Sequence, residues 1–347
     1  IVDTTQVTLK QAGYRQLQGF HLVISVGRDS TGKVIRINDP SDQLESLTRF
    51  DTERIGGEEL VMVAETIRCN LRLSQQVVHD FNAMRLIINR ATNQIERLGD
   101  NETEDARVQD LRENAAFLRW LVSDNFIIMG LIQDDQALGL AHSDVSDLWD
   151  TSNLHSLLNQ ESDTLVQIHK GRQESVVHRN GQLDEVAIRV PGKEGPALVI
   201  QGLFTYRAVN QASRQIPLLR RILTELQVTQ GYQPGSFHYK SVANVFDSLP
   251  TEYLFNAQPD QIMALIDRVR EAEQENEVRV HINQSDDGNS TFVLAALPRN
   301  RWTEELRQRI EALVVETTGA SYWDQGLLVG RYETMLAHLY LTGTQSL

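Results

Sequence analysis

With 347 residues, 41% of them hydrophobic, the chain is long enough to bury a substantial core and to divide into two or three domains. A net charge of −14 with no basic block excludes nucleic acid and anionic membrane surfaces as natural partners, leaving small molecules and proteins. The single cysteine, Cys69, rules out an intrachain disulfide and thiolate-rich metal sites, which fits a reducing cytoplasm, and apolar runs such as 126–132 are too short to span a bilayer. The chain opens on Ile1 rather than methionine, so the lack of a targeting signal carries no weight.

Residues 20–28 and 33–37 are predicted strands joined by the turn Asp29-Ser30-Thr31-Gly32, and 47–51 is a third. After Gly56-Gly57 the period changes. Leu60, Ala64, Ile67, Leu71, Val78, Phe81, Ile88 and Ile95 recur at helical spacing over about 40 residues, a helix of roughly 60 Å. Gly99 is its predicted C-cap, and Asn101 with Glu104 the capping box of a second helix whose stripe is Val108, Leu111, Ala115, Leu118 and Val122. The short connection makes the two an antiparallel hairpin.

From 125 to about 212 the pattern is mostly strand, broken by a polar, partly helical stretch at 134–163. Val176 and Val177 lead into a turn at Asn180-Gly181, and Val186, Ile188 and Val190 alternate as a half-buried strand does. A second apolar run covers 199–204, and Pro217 is placed in the first turn of a helix. Ile262, Leu265, Ile266 and Val269 mark another helix. Strands at 278–284 and 291–297 form a hairpin around Asp286-Asp287-Gly288-Asn289. Leu306, Ile310, Leu313 and Val314 mark a last helix, before terminal strands from Tyr322 and Thr334. Helix–strand–strand–helix–strand is most of a split βαβ, or ferredoxin-like, layer. The N-terminal strands and following helix read as an incomplete copy of it.

Gly27 to Lys33 fits the G-x-x-x-x-G-K half of a phosphate-binding loop, but Val34 replaces the magnesium-binding hydroxyl and a strand follows where a helix is needed. It reads as a hairpin turn. No G-x-G-x-x-G, G-x-S-x-G or H-E-x-x-H occurs, so no catalytic, cofactor-binding or metal-ligating residue is assigned. One basic cluster, His169, Lys170, Arg172, His178 and Arg179, stands out in an acidic chain. It reads either as a pocket for an anionic effector, with arginine gripping a carboxylate bidentately, or as a solvated strand edge blunted by charge. Trp120, Trp302 and Trp323 read as core or interface anchors, and Glu304, Glu305, Arg307 and Arg309 as exposed helix charges.

Three blocks in one order carry a resemblance: FLRWLVSDNFIIMG at 117–130; SVVHRNGQLDEVAIRV, ALVIQGLFTYRA and IPLLRR between 175 and 221; and LPRNRW at 297–302. Together they resemble the N-terminal, non-catalytic part of the very large bacterial NAD-dependent glutamate dehydrogenases. The resemblance is spread over most of the chain and densest from 117 to 255. It implies an α+β chain of ferredoxin-like, ACT-type domains flanking a helical hairpin and a PAS-like, mostly antiparallel β domain. The implied divisions are a partial ACT-like domain at 1–57, the hairpin at 58–124, the PAS-like domain at 125–212, a helical connector at 213–258 and a second ACT-like domain at 259–347. The first ACT-like unit lacks an opening strand and helix in this reading.

In such proteins a C-terminal region, absent here, carries the catalytic lysine and the NAD-dependent oxidative deamination of glutamate. The resemblance therefore implies a regulatory and assembly segment with no cofactor of its own. Its expected partners are an amino-acid or dicarboxylate effector, its own catalytic region and further copies in a cytoplasmic homo-oligomer. The alternatives are a stand-alone small-molecule sensor or protein-interaction module, and an enzyme of unrecognised type.

Overall fold

The computed structural model describes residues 1–134, 136–160, 164–190, 196–285, 290–330 and 334–343. The chain begins with a helix, α1 (Val2–Gln11), where the sequence reading placed none. Its threonines have weak helix propensity, so tertiary contact decides the matter. Thr5 and Thr8 return their hydroxyls to the carbonyls of Ile1 and Thr4, and Thr8 Oγ1 accepts a 2.9 Å bond from the buried Asn70 amide.

Strands β1 (Gln16–Arg28), β2 (Val34–Ile37) and β3 (Gln43–Thr52) form an antiparallel meander in the order β2-β1-β3. The Asp29 carboxylate accepts the backbone N–H groups of Thr31 and Lys33, closing the turn expected in place of a phosphate loop. Phe20, Leu22 and Leu47 share one sheet face with Ile35 and Ile37, and all five remain about half exposed.

Helix α2 (Gly57–Asn101) has 45 residues, about 68 Å of helix, and α3 (Asp105–Trp120) folds back along it. Three details differ from the sequence reading. Gly99 lies inside α2, where a Cβ would stand 3.4 Å from that of Leu111; the glycine admits α3 at close range rather than capping the helix. Asn101 donates to the Arg97 carbonyl, and Glu104 occupies the N-cap of α3 without a side-chain cap bond. Leu60, Val78 and Phe81 are exposed, because the buried line of α2 runs instead through Val63, Leu73, Val77, Met84, Ile88 and Ile95. That line includes Asn70 and Asp80, which have partners inside; Asp80 accepts the Gly139 N–H at 2.8 Å.

A wide turn at 121–125 leads into β4 (Phe126–Gln133) and β5 (Gln136–Gly139). Helix α4 (Ser152–Leu158) follows, then β6 (Val166–Glu174), β7 (Gln182–Arg189) and β8 (Pro196–Phe204). The five strands form one antiparallel sheet ordered β5-β4-β8-β7-β6. Strand β7 is not half-buried as its alternation suggests, since every residue from Gln182 to Ile188 is buried. Val186 and Ile188 face a core shared with α3, while Leu183 and Ala187 face Leu73, Val77, Leu154 and Leu157 of α2 and α4.

Short helix α5 (Tyr206–Val209) is followed by α6 (Leu219–Thr229), α7 (Phe237–Asp247), α8 (Thr251–Asn256) and α9 (Pro259–Glu275). Pro217 lies outside α6, preceding the N-cap Leu218, whose φ is +70°. Docking decides this, because the Leu218 N–H donates to Glu113 of α3 at 3.2 Å. Strands β9 (Arg279–Gln284) and β10 (Ser290–Pro298), helix α10 (Glu304–Thr318), and strands β11 (Tyr322–Val329) and β12 (Thr334–Thr342) complete the fold. Their antiparallel sheet is ordered β11-β12-β10-β9, and the turn expected at 286–289 lies outside the described residues.

Phe292, Leu294 and Ala296 of β10 join the core that contains α9, whereas Val293, Ala295 and Leu297 face α10. The two helices thus cover opposite faces of this sheet, where a ferredoxin-like layer segregates them to one. Leu313, expected in the buried stripe of α10, is 65% exposed.

Leu118→Ala is expected to lower unfolding stability by about 2–5 kcal/mol, since Leu118 is fully buried, and Leu60→Ala by no more than about 0.5 kcal/mol. Denaturant titration of both variants checks this; equal losses would remove the assigned α2–α3 packing.

Candidate functional site

The basic cluster is carried by β6 and the turn that follows it. In β6, Lys170 stands opposite Asp184 of β7 and shares its face with Ile168 and Val166. Its ammonium donates to Asp184 Oδ1 and to Glu252 Oε1 of α8, each at 2.9 Å, and the side chain is 7% exposed. Burial alone would push the ammonium down, but the two carboxylates outweigh it and hold Lys170 protonated, above its ordinary value. Burial pushes Asp184 up to about 6 against the pull of Lys170, and the second carboxylate adds to the rise. Two carboxylates around one ammonium leave a negative charge in excess, and Asp324 of β11 is raised by burial and by Glu252.

The opposite face of the same strands holds a second buried polar group. Glu185 stands between His169 of β6 and Gln201 of β8. Its carboxylate accepts from Gln201 Nε2 at 3.1 Å and from the Asn153 amide, while Trp149 Nε1 donates to Gln201 Oε1 at 3.1 Å. Burial pushes Glu185 up to about 7 against those hydrogen bonds. Gly171 leaves room beside it, since a Cβ there would stand 2.8 Å from Glu185 Oε1 and displace the carboxylate. The ladder shifts register between Lys170 and Glu174, so regular strand alternation does not carry on from Lys170 to Arg172.

The five basic residues therefore meet different surroundings. Lys170 is enclosed, and half-buried His169 lies on the face of Glu185. Arg172 is exposed, and its charge acts on Glu185. His178, held at φ +67°, is 3.5 Å from Asp3 of α1. Arg179 Nη2 donates to the Phe204 carbonyl at 2.7 Å. Sequence reasoning missed Asp184, Glu185, Gln201 and Glu252. The signal available was the adjacent pair Asp184-Glu185 within an apolar run, since consecutive strand residues face opposite sides and a strand covered on both sides must bury both.

Among the described residues, no group of three or more His, Cys, Asp or Glu side chains could hold a metal ion, and no helix is long and apolar enough to cross a membrane. Residues 216–275, from the approach to α6 through α9, match the family model "Glutamate dehydrogenase, helical motif 1". The chain is 24% identical over 354 aligned residues, 93% of its length, to the NAD-specific glutamate dehydrogenase of Halomonas elongata. It is 24% identical over 348 residues, 92% of its length, to that of Pseudomonas aeruginosa. It spans about a fifth of the length of these curated relatives, 22% and 21% respectively. The chain thus resembles an N-terminal region of the large NAD-specific glutamate dehydrogenases.

Glu185 has a folded-state value above its unfolded one, so the folded protein binds this proton more tightly. Its contribution is fully present below the ordinary glutamate value and is lost as pH rises from there through about 7, on the order of 3 kcal/mol in all. Glu185→Gln should flatten the decline of stability across that window and raise the melting temperature at pH 8 relative to the parent. An unchanged pH profile would show that Glu185 does not titrate there.

Proposed function

We propose that this chain is the non-catalytic, regulatory and assembly region of a large NAD-specific glutamate dehydrogenase, with oxidative deamination of L-glutamate carried by a C-terminal region outside it. The carrying observation is the alignment of more than nine-tenths of the chain with only about a fifth of two such enzymes. The match of 216–275 to the helical motif points the same way. We further read the middle sheet as PAS-like. In support, its strands, numbered within the unit, run second–first–fifth–fourth–third, with α4 inserted after the first hairpin. The two outer sheets are read as ACT-type units, the first opened by α1 and the last departing from the pattern in the placement of α10.

An amino-acid or dicarboxylate effector would engage Arg172 rather than Lys170, because Arg172 is exposed and Lys170 is already saturated by two carboxylates. Calorimetry should then detect glutamate or aspartate binding that weakens in Arg172→Ala and as salt rises. Affinity unchanged by that substitution would exclude this anchor and favour a plain charged strand edge.

The purified chain is expected to form no NADH from glutamate and NAD, whereas the full-length protein does. Removing residues 1–347 from the full-length protein should preserve some NAD reduction while altering its oligomeric state or effector response. NADH formation by the isolated chain would overturn the non-catalytic reading; unaltered assembly and effector response on truncation would overturn the regulatory one.

A further inference from the structure

A cavity of about 60 Å³ lies where the α8–α9 junction meets β9, β10 and β12. That is room for roughly four water-sized groups. Tyr253 contributes its wall: the residue is 1% exposed, its ring stacks on Phe292 at 4.0 Å, and its hydroxyl makes no hydrogen bond of good geometry, its one side-chain polar neighbour being Asn283. Asn283 lies beside that hydroxyl but turns its amide nitrogen to Gln261 Oε1 at 3.1 Å. Asn256, Gln258, Ser285, Ser290 and Tyr340 complete the polar lining.

The lining is amide, hydroxyl and aromatic, with no charged side chain among the described residues. The start of α9 does not make it an anion site. Pro259 has no N–H, the Gln258–Gln261 capping box occupies two more donors, and the charge of Asp260 is felt at the Tyr253 phenol. A charged ligand would lose its hydration without a counter-charge. Burial holds the Tyr253 phenol well above its ordinary value, so it stays a neutral hydroxyl able to donate and to accept.

We propose that this cavity is a binding site for a small uncharged molecule, or the uncharged end of one, carrying a carboxamide or an equivalent donor–acceptor pair, with Tyr253 and Asn283 as its hydrogen-bonding residues. The amide group offers one acceptor to the Tyr253 hydroxyl and donors to the amide oxygens around it. Occupancy would link the helical segment at 216–275 to the terminal sheet, independently of the effector anchor at Arg172.

Three probes of nearly equal size separate the alternatives: acetamide, acetate and acetamidinium, titrated into the chain by saturation-transfer NMR. Acetamide should bind saturably in preference to both ions, and Tyr253→Phe should weaken it roughly five- to tenfold, the loss of one hydrogen bond. Asn283→Asp, which keeps the shape and adds a charge, should shift preference from acetamide to acetamidinium. It tests the assignment should Tyr253→Phe fail to fold. Equal binding of acetate and acetamide, insensitivity to both substitutions, or no saturable binding of acetamide, meaning ordered water only, would each overturn the proposal.

Discussion

Five aromatic side chains from four elements hold the middle of this protein together. Phe204 of β8 lies 5.0 Å from Phe126 of β4, 5.1 Å from Phe255 of α8 and 6.1 Å from Trp120 of α3, centroid to centroid. Phe117 closes the group at 5.6 Å from Trp120 and 5.5 Å from Phe255. Edge-to-face and offset pairs of this kind add about 0.5–1.5 kcal/mol each beyond the burial of their area. The helical hairpin, the five-stranded sheet and the helical segment therefore share one core. Trp120 satisfies its indole N–H on Gln211, so the cluster buries its polar handle without leaving it unpaired.

Around that core the sheet buries charge. Lys170 between Asp184 and Glu252 joins an edge strand to α8, and Gln182 Nε2 donates to Thr342 Oγ1 of the terminal sheet at 2.7 Å. Removing charges from water is costly, so such groups add little net stability over apolar residues of the same shape, but breaking them is expensive because the orphaned partner stays buried. They select one arrangement of strand, helix and sheet against others. The consequence for ligand chemistry is direct, since Lys170 is consumed inside the fold and only Arg172, His178 and Arg179 of the cluster reach the surface.

The apolar content is unevenly spent. The β1–β3 meander keeps Phe20, Leu22, Ile35, Ile37 and Leu47 about half in solvent, and the face of β9 beside α10 keeps Val280 and Ile282 exposed. Strands with so few buried contacts sit at the low end of local stability, while β7 and β8 at the centre sit at the high end. The unit that α3, β4, β8 and α8 lock together is thus the most densely buried part of the fold, and one face of the terminal sheet joins its core.

Local chemistry in the chain determined a good deal by itself. The 3.6-residue period made α2, α3 and α9 legible, because many apolar residues repeat the same signal. Turn chemistry at Asp29–Gly32 identified a hairpin where a phosphate loop was conceivable, and the sequence blocks at 117–130 and 175–221 carried the resemblance that alignment bears out. What lay beyond reach was decided by contacts between distant segments. Gly99 packs α3 rather than capping α2, and Leu218 caps α6 because Glu113 reaches its N–H. Asp184 and Glu252, 68 positions apart, meet around Lys170, and Glu185 is enclosed on the opposite face, only when β7 is covered on both faces and α8 is laid against β6. Periodicity reports which residues share a face, but whether that face meets solvent, a helix or a second sheet depends on partners far along the chain, and so do the exposure of a charge and the walls of a cavity.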